Sequence, residues 1–244
     1  MKKIFIEGHR GYCAKYPENT ILSYEKAIEL GVDAIEFDVW LTSDKIPVLM
    51  HDGCPARTCG ITTDLFLRDM TLAEVKQLDP HCPSKFGDTF KGQVKVPTLY
   101  ELLDLVKEKR PDLKLGVEIK EYTEENVDIT VAALKEYGVF DNCWFYAFNG
   151  RIIRYLKEKY SARTMGYPDF QMKEFDGYDA YDEIGLNMAL VKSELCDFYL
   201  AKNLPVHMYC ADTHEDVELC IRKGAELITA NDPTALLEIL KNQK

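Results

Sequence analysis

Two stretches of the chain space charged side chains two residues apart: Ala34-Ile35-Glu36-Phe37-Asp38-Val39 and Val117-Glu118-Ile119-Lys120. In an extended strand alternate side chains share a face. Glu36 and Asp38 therefore project one way, and Ile35, Phe37 and Val39 the other. With the apolar face packed on helices, the two carboxylates point inward, where unpaired charge is costly. A hard divalent ion bound through oxygen relieves that cost, and Glu118 offers a third oxygen. Lys120 shares the face of Glu118 and supplies a positive charge for a phosphate or a leaving oxygen. His9-Arg10 sits between Gly8 and Gly11. These glycines would let the backbone approach a ligand closely, and Arg10 carries a planar fork matched to phosphate oxygens. Reading Asp44-Lys45 as a two-residue hairpin turn pairs Ser43 with Ile46 and sets Asp38 opposite His51. Two imidazoles, a metal site and an arginine form a set suited to phosphodiester cleavage, with one base, one acid and cationic groups on the phosphate.

These groups need a scaffold that brings distant strands together. The 244-residue chain reads as alternating strands and helices. Strands are expected at 4–7, 34–41, 115–119, 143–147, 162–166, 184–186, 205–210 and 227–229. Helices are expected at 20–30, stopped by Gly31, and at 98–109, 126–137, 152–159, 193–202, 215–223 and 233–240. This repetition predicts an α/β chain of (β/α)8 TIM-barrel type, a single domain over 1–244. A doubly wound open sheet competes, but no GxGxxG turn follows the first strand. The rhythm breaks at about 52–96, which reads as a small inserted cap after the second strand and its hairpin, with one helix-like piece at 72–78. Such an insertion at the C-terminal end of a barrel strand serves either as a lid or as a stabilising elaboration.

Composition narrows the partners. The net charge is −11, which argues against duplex nucleic acid and against electrostatic adhesion to anionic membranes. No run reaches the ~18 apolar residues of a membrane span, and the first residues lack a signal-peptide core. The eight cysteines are therefore expected as reduced thiols in a cytoplasmic protein. Cys54, Cys59, His81 and Cys82 allow a zinc site in principle, although no CxxC pair is present. A homodimer is compatible with the sequence.

The motifs His9-Arg10-Gly11, Pro17-Glu18-Asn19-Thr20, Gly31-x-Asp33-x-x-Glu36-x-Asp38-Val39, Thr42-x-Asp44 and Val48-x-x-His51-Asp52 follow one another at spacings that resemble the glycerophosphodiester phosphodiesterase family. Met70-Thr71-Leu72-Ala73-Glu74-Val75, Val96-Pro97-Thr98-Leu99 and Glu118-Ile119-Lys120 extend the resemblance. It implies a TIM barrel with an inserted cap and one divalent ion, Mg²⁺ or Ca²⁺. By the match, Glu36, Asp38 and Glu118 are metal ligands, His9 and His51 the acid/base pair, and Arg10 and Lys120 phosphate binders. Asn19 would hold the first loop from behind. The implied substrate is a small phosphodiester, cleaved to glycerol 3-phosphate and an alcohol.

The second half departs from that pattern. Ala147-Phe148 stands where the family usually has Ser-Phe, and Thr229-Ala230 where it has Thr-Asp. The run Tyr209-Cys210-Ala211-Asp212 replaces Trp-Thr-x-Asn. Phe148 and Tyr209 still offer aromatic faces to the alcohol portion of a substrate. His207 and His214 lack a carboxylate context in the sequence and read as core or surface residues. Three other readings stay open: the same chemistry on a lysophospholipid or sugar phosphodiester, a non-catalytic phosphodiester-binding barrel, and a barrel isomerase or aldolase using Lys120. The three carboxylates argue against the last.

Overall fold

A computed structural model describes residues 3–241. Its strands are β1 (Phe5–Gly8), β2 (Ala34–Leu41), β3 (Pro47–Leu49), β4 (Lys114–Ile119), β5 (Cys143–Tyr146), β6 (Thr164–Gly166), β7 (Glu183–Asn187), β8 (Val206–Tyr209) and β9 (Leu227–Ala230). All but β3 run parallel, each beside the next, and β1 pairs with both β2 and β9, so eight strands close into a barrel. The longer helices that return the chain between strands are α1 (Ile21–Leu30), α5 (Leu99–Lys109), α6 (Glu124–Glu136), α7 (Gly150–Tyr160), α10 (His214–Arg222) and α11 (Thr234–Lys241). Short helices α2 (Ala56–Cys59), α3 (Leu72–Val75) and α4 (Pro83–Phe86) lie between β3 and α5, while α8 (Met188–Val191) and α9 (Leu195–Leu200) follow β7. The expected 193–202 helix thus shortens to α9, and α8 before it was not expected; Asn187 caps α8 by accepting from Leu190 N at 3.0 Å.

Local chemistry sets the helix ends. Thr20 caps α1, and Gly31, at φ 94°, closes it with N–H bonds to Ala27 and Ile28 carbonyls. Thr98 and Glu101 form a reciprocal capping box on α5. Ile35, Phe37, Val39, Val117 and Ile119 join the helices in the main apolar core. Inside the barrel, Ala34, Trp144, Tyr146, Met165, Tyr167 and Leu227 pack together. The strand alternation read from the sequence therefore holds, with Glu36, Asp38 and Glu118 on the inner side.

The interior also holds polar groups that the sequence did not announce. Glu7 accepts hydrogen bonds from Tyr146 (3.0 Å) and Thr229 (2.7 Å). Burial pushes its carboxyl above the usual range. Gly116 leaves the space this requires, since a Cβ there would lie 2.4 Å from Glu7 Oε1 and 2.8 Å from the Tyr146 ring. His207 is buried and paired with Glu183, so it is a core residue as expected. His214 is exposed beside Glu238.

The hairpin differs from the expected register by one residue. Pairs are Val39–Leu49, Trp40–Val48 and Leu41–Pro47, and Met50 N, not His51, bonds to the Asp38 carbonyl at 3.1 Å. The turn has three residues, Ser43 to Lys45, with Lys45 left-handed at φ 65°. Thr42 Oγ1 locks it by donating to Asp44 (2.6 Å) and accepting from Ile46 N (2.9 Å). Side-chain hydrogen bonding thus outweighs the shorter turn.

Segment 52–96 builds a small core of its own with Cys59, Leu67, Met70 and Val75 packed on Val48, Met50 and Val96. The expected helix at 72–78 shortens to α3. The zinc reading is overturned. Among the described residues, the one group of metal-ligating side chains with converging atoms is Glu36, Asp38 and Glu118. His81 Nδ1 instead bonds to the Asp79 carbonyl, and Cys59 and Cys82 are buried as free thiols.

Candidate active site

A cavity of about 440 Å³ opens where the parallel strands end, bordered by His9, Arg10, Glu36, His51, Glu118 and Lys120 on one side. Phe148, Tyr167 and Tyr209 border it on the other. Parallel pairing of β2 with β4 places Asp38 beside Glu118 and Glu36 beside Gly116. One oxygen from each of Glu36, Asp38 and Glu118 lies within 4.8 Å of the others.

The three carboxylates are not equivalent. Lys120 Nζ donates to Glu118 Oε1 at 2.7 Å and lies 3.2 Å from Asp38 Oδ1. Burial works against ionisation of Asp38, but Lys120 and then Arg10 outweigh it and hold its carboxyl well below the usual range. Glu36 moves the opposite way. Burial, then repulsion from Asp38 and Glu118, raises its carboxyl far above the ordinary value. Burial also raises Glu118 despite Lys120. Glu36 Oε1 is fully buried and accepts no hydrogen bond, and Asp38 Oδ1, equally buried, has only the Lys120 ammonium beside it. Buried carboxylate oxygens left in this way are the donor set of a hard divalent ion, so these residues fit the metal that the sequence implied.

The loop after β1 bends around this cluster. Arg10 and Asn19 both adopt left-handed backbone, at φ 53° and 54°. Arg10 N donates to Glu36 Oε2 at 2.9 Å, and Arg10 Nε lies 3.5 Å from Asp38 Oδ2. Asn19 Nδ2 donates to Asp38 Oδ2 at 2.7 Å, while its Oδ1 accepts from Tyr24 at 2.6 Å. Asn19 therefore touches a carboxylate of the cluster directly, besides bonding its N–H to the Arg10 carbonyl. The neighbouring glycines serve packing, not ligand approach. A Cβ on Gly11 would lie 2.6 Å from Ser23, and one on Gly8 2.6 Å from the Gly11 carbonyl.

The two histidines sit in unlike surroundings. His9 Nδ1 bonds to Asn231 Oδ1 at 2.7 Å, and its Nε2 lies 3.9 Å from Glu36 Oε2. Burial first, and Arg10 second, lower its pKa to about 4, so the ring is neutral near pH 7. His51 Nδ1 faces Asp52 Oδ1 at 2.7 Å. That bond, with Arg57, holds the Asp52 carboxyl well below the usual range despite partial burial.

Arg57 was not singled out in the sequence, and Glu18 stood in a motif without an assigned role. Arg57, from α2, grips Glu18 with both terminal nitrogens (3.0 and 2.7 Å) and donates Nε to Asp52 at 2.5 Å. Glu18 also accepts from Arg10 Nη1 at 2.9 Å. A continuous chain His51–Asp52–Arg57–Glu18–Arg10 thus runs around the rim. Lys85 adds a second tie by donating to the Cys13 carbonyl at 2.7 Å. The inserted segment buttresses the His51 and Arg10 side, whereas the residues bordering the cavity lie outside 52–96.

Opposite the charged side, Phe148 stacks on Tyr167 with centroids 3.7 Å apart, and Tyr209 meets Tyr167 edge-on at 5.7 Å. Tyr167 was invisible in sequence because nothing distinguishes it from the other 13 of the 14 tyrosines.

Fold and site together define a (β/α)8 barrel with a carboxylate-centred, histidine-flanked pocket at the C-terminal ends of its strands, the place where barrel enzymes work. The sequence matches the Glycerophosphoryl diester phosphodiesterase family over residues 9–235, and the chain belongs to that family of phosphoric diester hydrolases. A glycerophosphodiester phosphodiesterase of Caldanaerobacter subterraneus is 29% identical over 98% of both chains. Among solved structures, a phosphodiesterase of Oleispira antarctica in complex with the product sn-glycerol-3-phosphate superposes with a TM-score of 0.83 at 23% identity, covering 97% of this chain and 96% of that one. A glycerophosphodiester phosphodiesterase of Agrobacterium tumefaciens gives 0.78 at 23%, covering 98% and 100%. The structural likenesses establish the shared barrel fold.

Proposed function

We propose that this chain hydrolyses glycerophosphodiesters to glycerol 3-phosphate and an alcohol, with one divalent ion held by Glu36, Asp38 and Glu118. The observation that carries the proposal is the convergence of three buried carboxylates, one of them with an oxygen that accepts no hydrogen bond, between two histidines held by different partners. An ion held there would supply Lewis-acid charge to the phosphate. Arg10 and Lys120 take up further phosphate charge. His9, neutral near pH 7, takes a proton from the nucleophile, either water, which gives glycerol 3-phosphate directly, or a glycerol hydroxyl, which gives a cyclic phosphate that water then opens to glycerol 3-phosphate. His51 gives a proton to the leaving alkoxide, with the Asp52 carboxylate facing the other ring nitrogen. Asn19 holds Asp38 in place, and Phe148 and Tyr209, with Tyr167, face the alcohol portion. The insertion over 52–96 serves as the buttress of the acid side. All eight cysteines are free thiols, which supports a reducing, cytoplasmic setting. Among the described residues no helix is long and apolar enough to cross a membrane.

The direct test measures glycerol 3-phosphate release from glycerophosphocholine and glycerophosphoethanolamine with Mg²⁺, with Ca²⁺ and with EDTA. Release that EDTA abolishes and one of the ions restores is the expected result. A folded, metal-loaded protein that releases nothing from either substrate would mean that the altered C-terminal wall has changed the substrate or ended catalysis, and a broader phosphodiester panel would separate those two.

The rim chain gives a second expectation. Arg57→Ala removes the shared partner of Glu18 and Asp52, so kcat is expected to fall roughly 10- to 100-fold, the range for residues that orient ligand groups. Arg57→Lys should recover little, because an ammonium cannot reproduce the two-pronged grip on Glu18. Wild-type kcat in Arg57→Ala would remove the insertion from the chemistry.

A further inference from the structure

Asp212 and Asn231 stand behind His9, on the loops after β8 and β9. Asp212 Oδ1 accepts two backbone N–H groups, those of Asn231 at 2.6 Å and Asp232 at 3.0 Å. Its Oδ2 accepts Asn231 Nδ2 at 2.7 Å. A carboxylate only accepts, so the Asn231 amide has one orientation, with Nδ2 toward Asp212 and Oδ1 toward His9. Oδ1 likewise only accepts. It receives His9 Nδ1 at 2.7 Å and the Cys13 thiol at 3.1 Å. The His9 ring proton therefore resides on Nδ1, where Cys210 Sγ is a second, longer neighbour at 3.4 Å. The lone pair is left on Nε2, the nitrogen on the Glu36 side.

We propose that Asp212 and Asn231 are positioning residues that fix His9 in the Nδ1–H tautomer, so that Nε2 meets the nucleophile as an acceptor. The proposal rests on the reading of His9 as the base. It assigns a task in the chemistry to two side chains that lie behind the cavity wall.

Exchanging the two side-chain types supplies the test. In Asp212→Asn the new amide must keep its oxygen on the two backbone N–H groups, which sets its Nδ2 against Nδ2 of Asn231. Asn231 then turns over, presents Nδ2 to His9 Nδ1, and drives the ring proton to Nε2. Turnover of glycerophosphocholine is expected to fall roughly 10²-fold or more in kcat, with KM changed far less. In Asn231→Asp two carboxylates face each other, and kcat falls as well. The double exchange Asp212→Asn/Asn231→Asp restores every hydrogen bond. The amide at 212 keeps its oxygen on the backbone and donates Nδ2 to the carboxylate at 231, whose other oxygen receives His9 Nδ1–H. The double variant should return to within a few-fold of wild type. Two-bond ¹H–¹⁵N correlation of the histidine rings, with His9 assigned by its loss in His9→Ala, should show Nδ1–H in wild type and in the double variant, and Nε2–H in Asp212→Asn. Wild-type kcat with an unmoved proton in Asp212→Asn overturns the proposal, as does a double variant no more active than Asp212→Asn. If His9→Ala itself turns over normally, it is the assignment of the base that fails, and the ring spectra still decide the tautomer.

Discussion

Replacing His51 by alanine is expected to lower turnover of glycerophosphocholine by roughly 10²- to 10⁴-fold, the usual worth of a positioned general acid, with the thermal transition unchanged. The fold should tolerate the change because the His51 side chain is 32% exposed and bonds to Asp52, which keeps Arg57 as a partner. The leaving group gives the sharper reading. An alkoxide must be protonated as it departs, whereas a nitrophenolate leaves without a proton. With a nitrophenyl ester of glycerol phosphate, His51→Ala should therefore recover most of the lost rate. His9→Ala should lose both substrates alike, because the nucleophile needs its base whatever the leaving group. Equal losses on both substrates in His51→Ala would deny His51 the role of acid.

Glu36→Gln should abolish turnover, by more than the ~100-fold typical of residues that merely orient metal ligands, and yet raise the melting temperature of the metal-free protein. The sign follows from the direction of the Glu36 shift. A carboxyl raised on folding contributes stability below its unfolded value, near 4.5, and loses that contribution as pH rises through the folded value. Above about pH 4.5, keeping Glu36 in the metal-free cluster therefore costs stability. Glutamine keeps an oxygen for Arg10 N and carries no charge. A gain of about 2–4 °C per kcal/mol is the scale for a chain of this size. Asp38→Asn should act oppositely, because Asp38 is depressed by Lys120 and Arg10 and its loss takes a buried carboxylate from both cations. The same linkage makes metal binding release protons, so affinity for Mg²⁺ or Ca²⁺ should strengthen as pH rises above about 4.5. Titration calorimetry in buffers of different ionisation enthalpy measures that release. A metal-free Glu36→Gln protein that melts below wild type would contradict the account.

What the sequence disclosed depended on range. Inward carboxylates were legible because strand alternation is local: Phe37 goes to the core, so Glu36 and Asp38 cannot. The barrel was legible from repetition of the same local signals. The hairpin register was missed by one residue, because the choice of turn lay in the Thr42 hydroxyl, which bonds to Asp44 and Ile46, and not in apolar patterning. Glycines 8 and 11 pointed to a ligand in the sequence but turned out to accommodate α1. The contacts that complete the site were not legible at all. Arg57 meets Glu18, and Asn231 meets His9, only after the chain has folded back, and no spacing rule encodes such meetings.

The His9–Asn231 bond joins residues 222 positions apart, and it exists only where the first and last strands meet. Whatever the order in which the other strands assemble, this end-to-end meeting carries the largest loop-closure entropy of the barrel. A nascent or truncated chain that lacks β9 can gather Glu36, Asp38, Glu118 and His51, since all four lie before residue 121, but it holds His9 without Asn231 behind it. Completion of the barrel and competence of the base are thus one event. In a refolding experiment, helical signal and metal binding can recover early, while recovery of turnover times the closure of the ring.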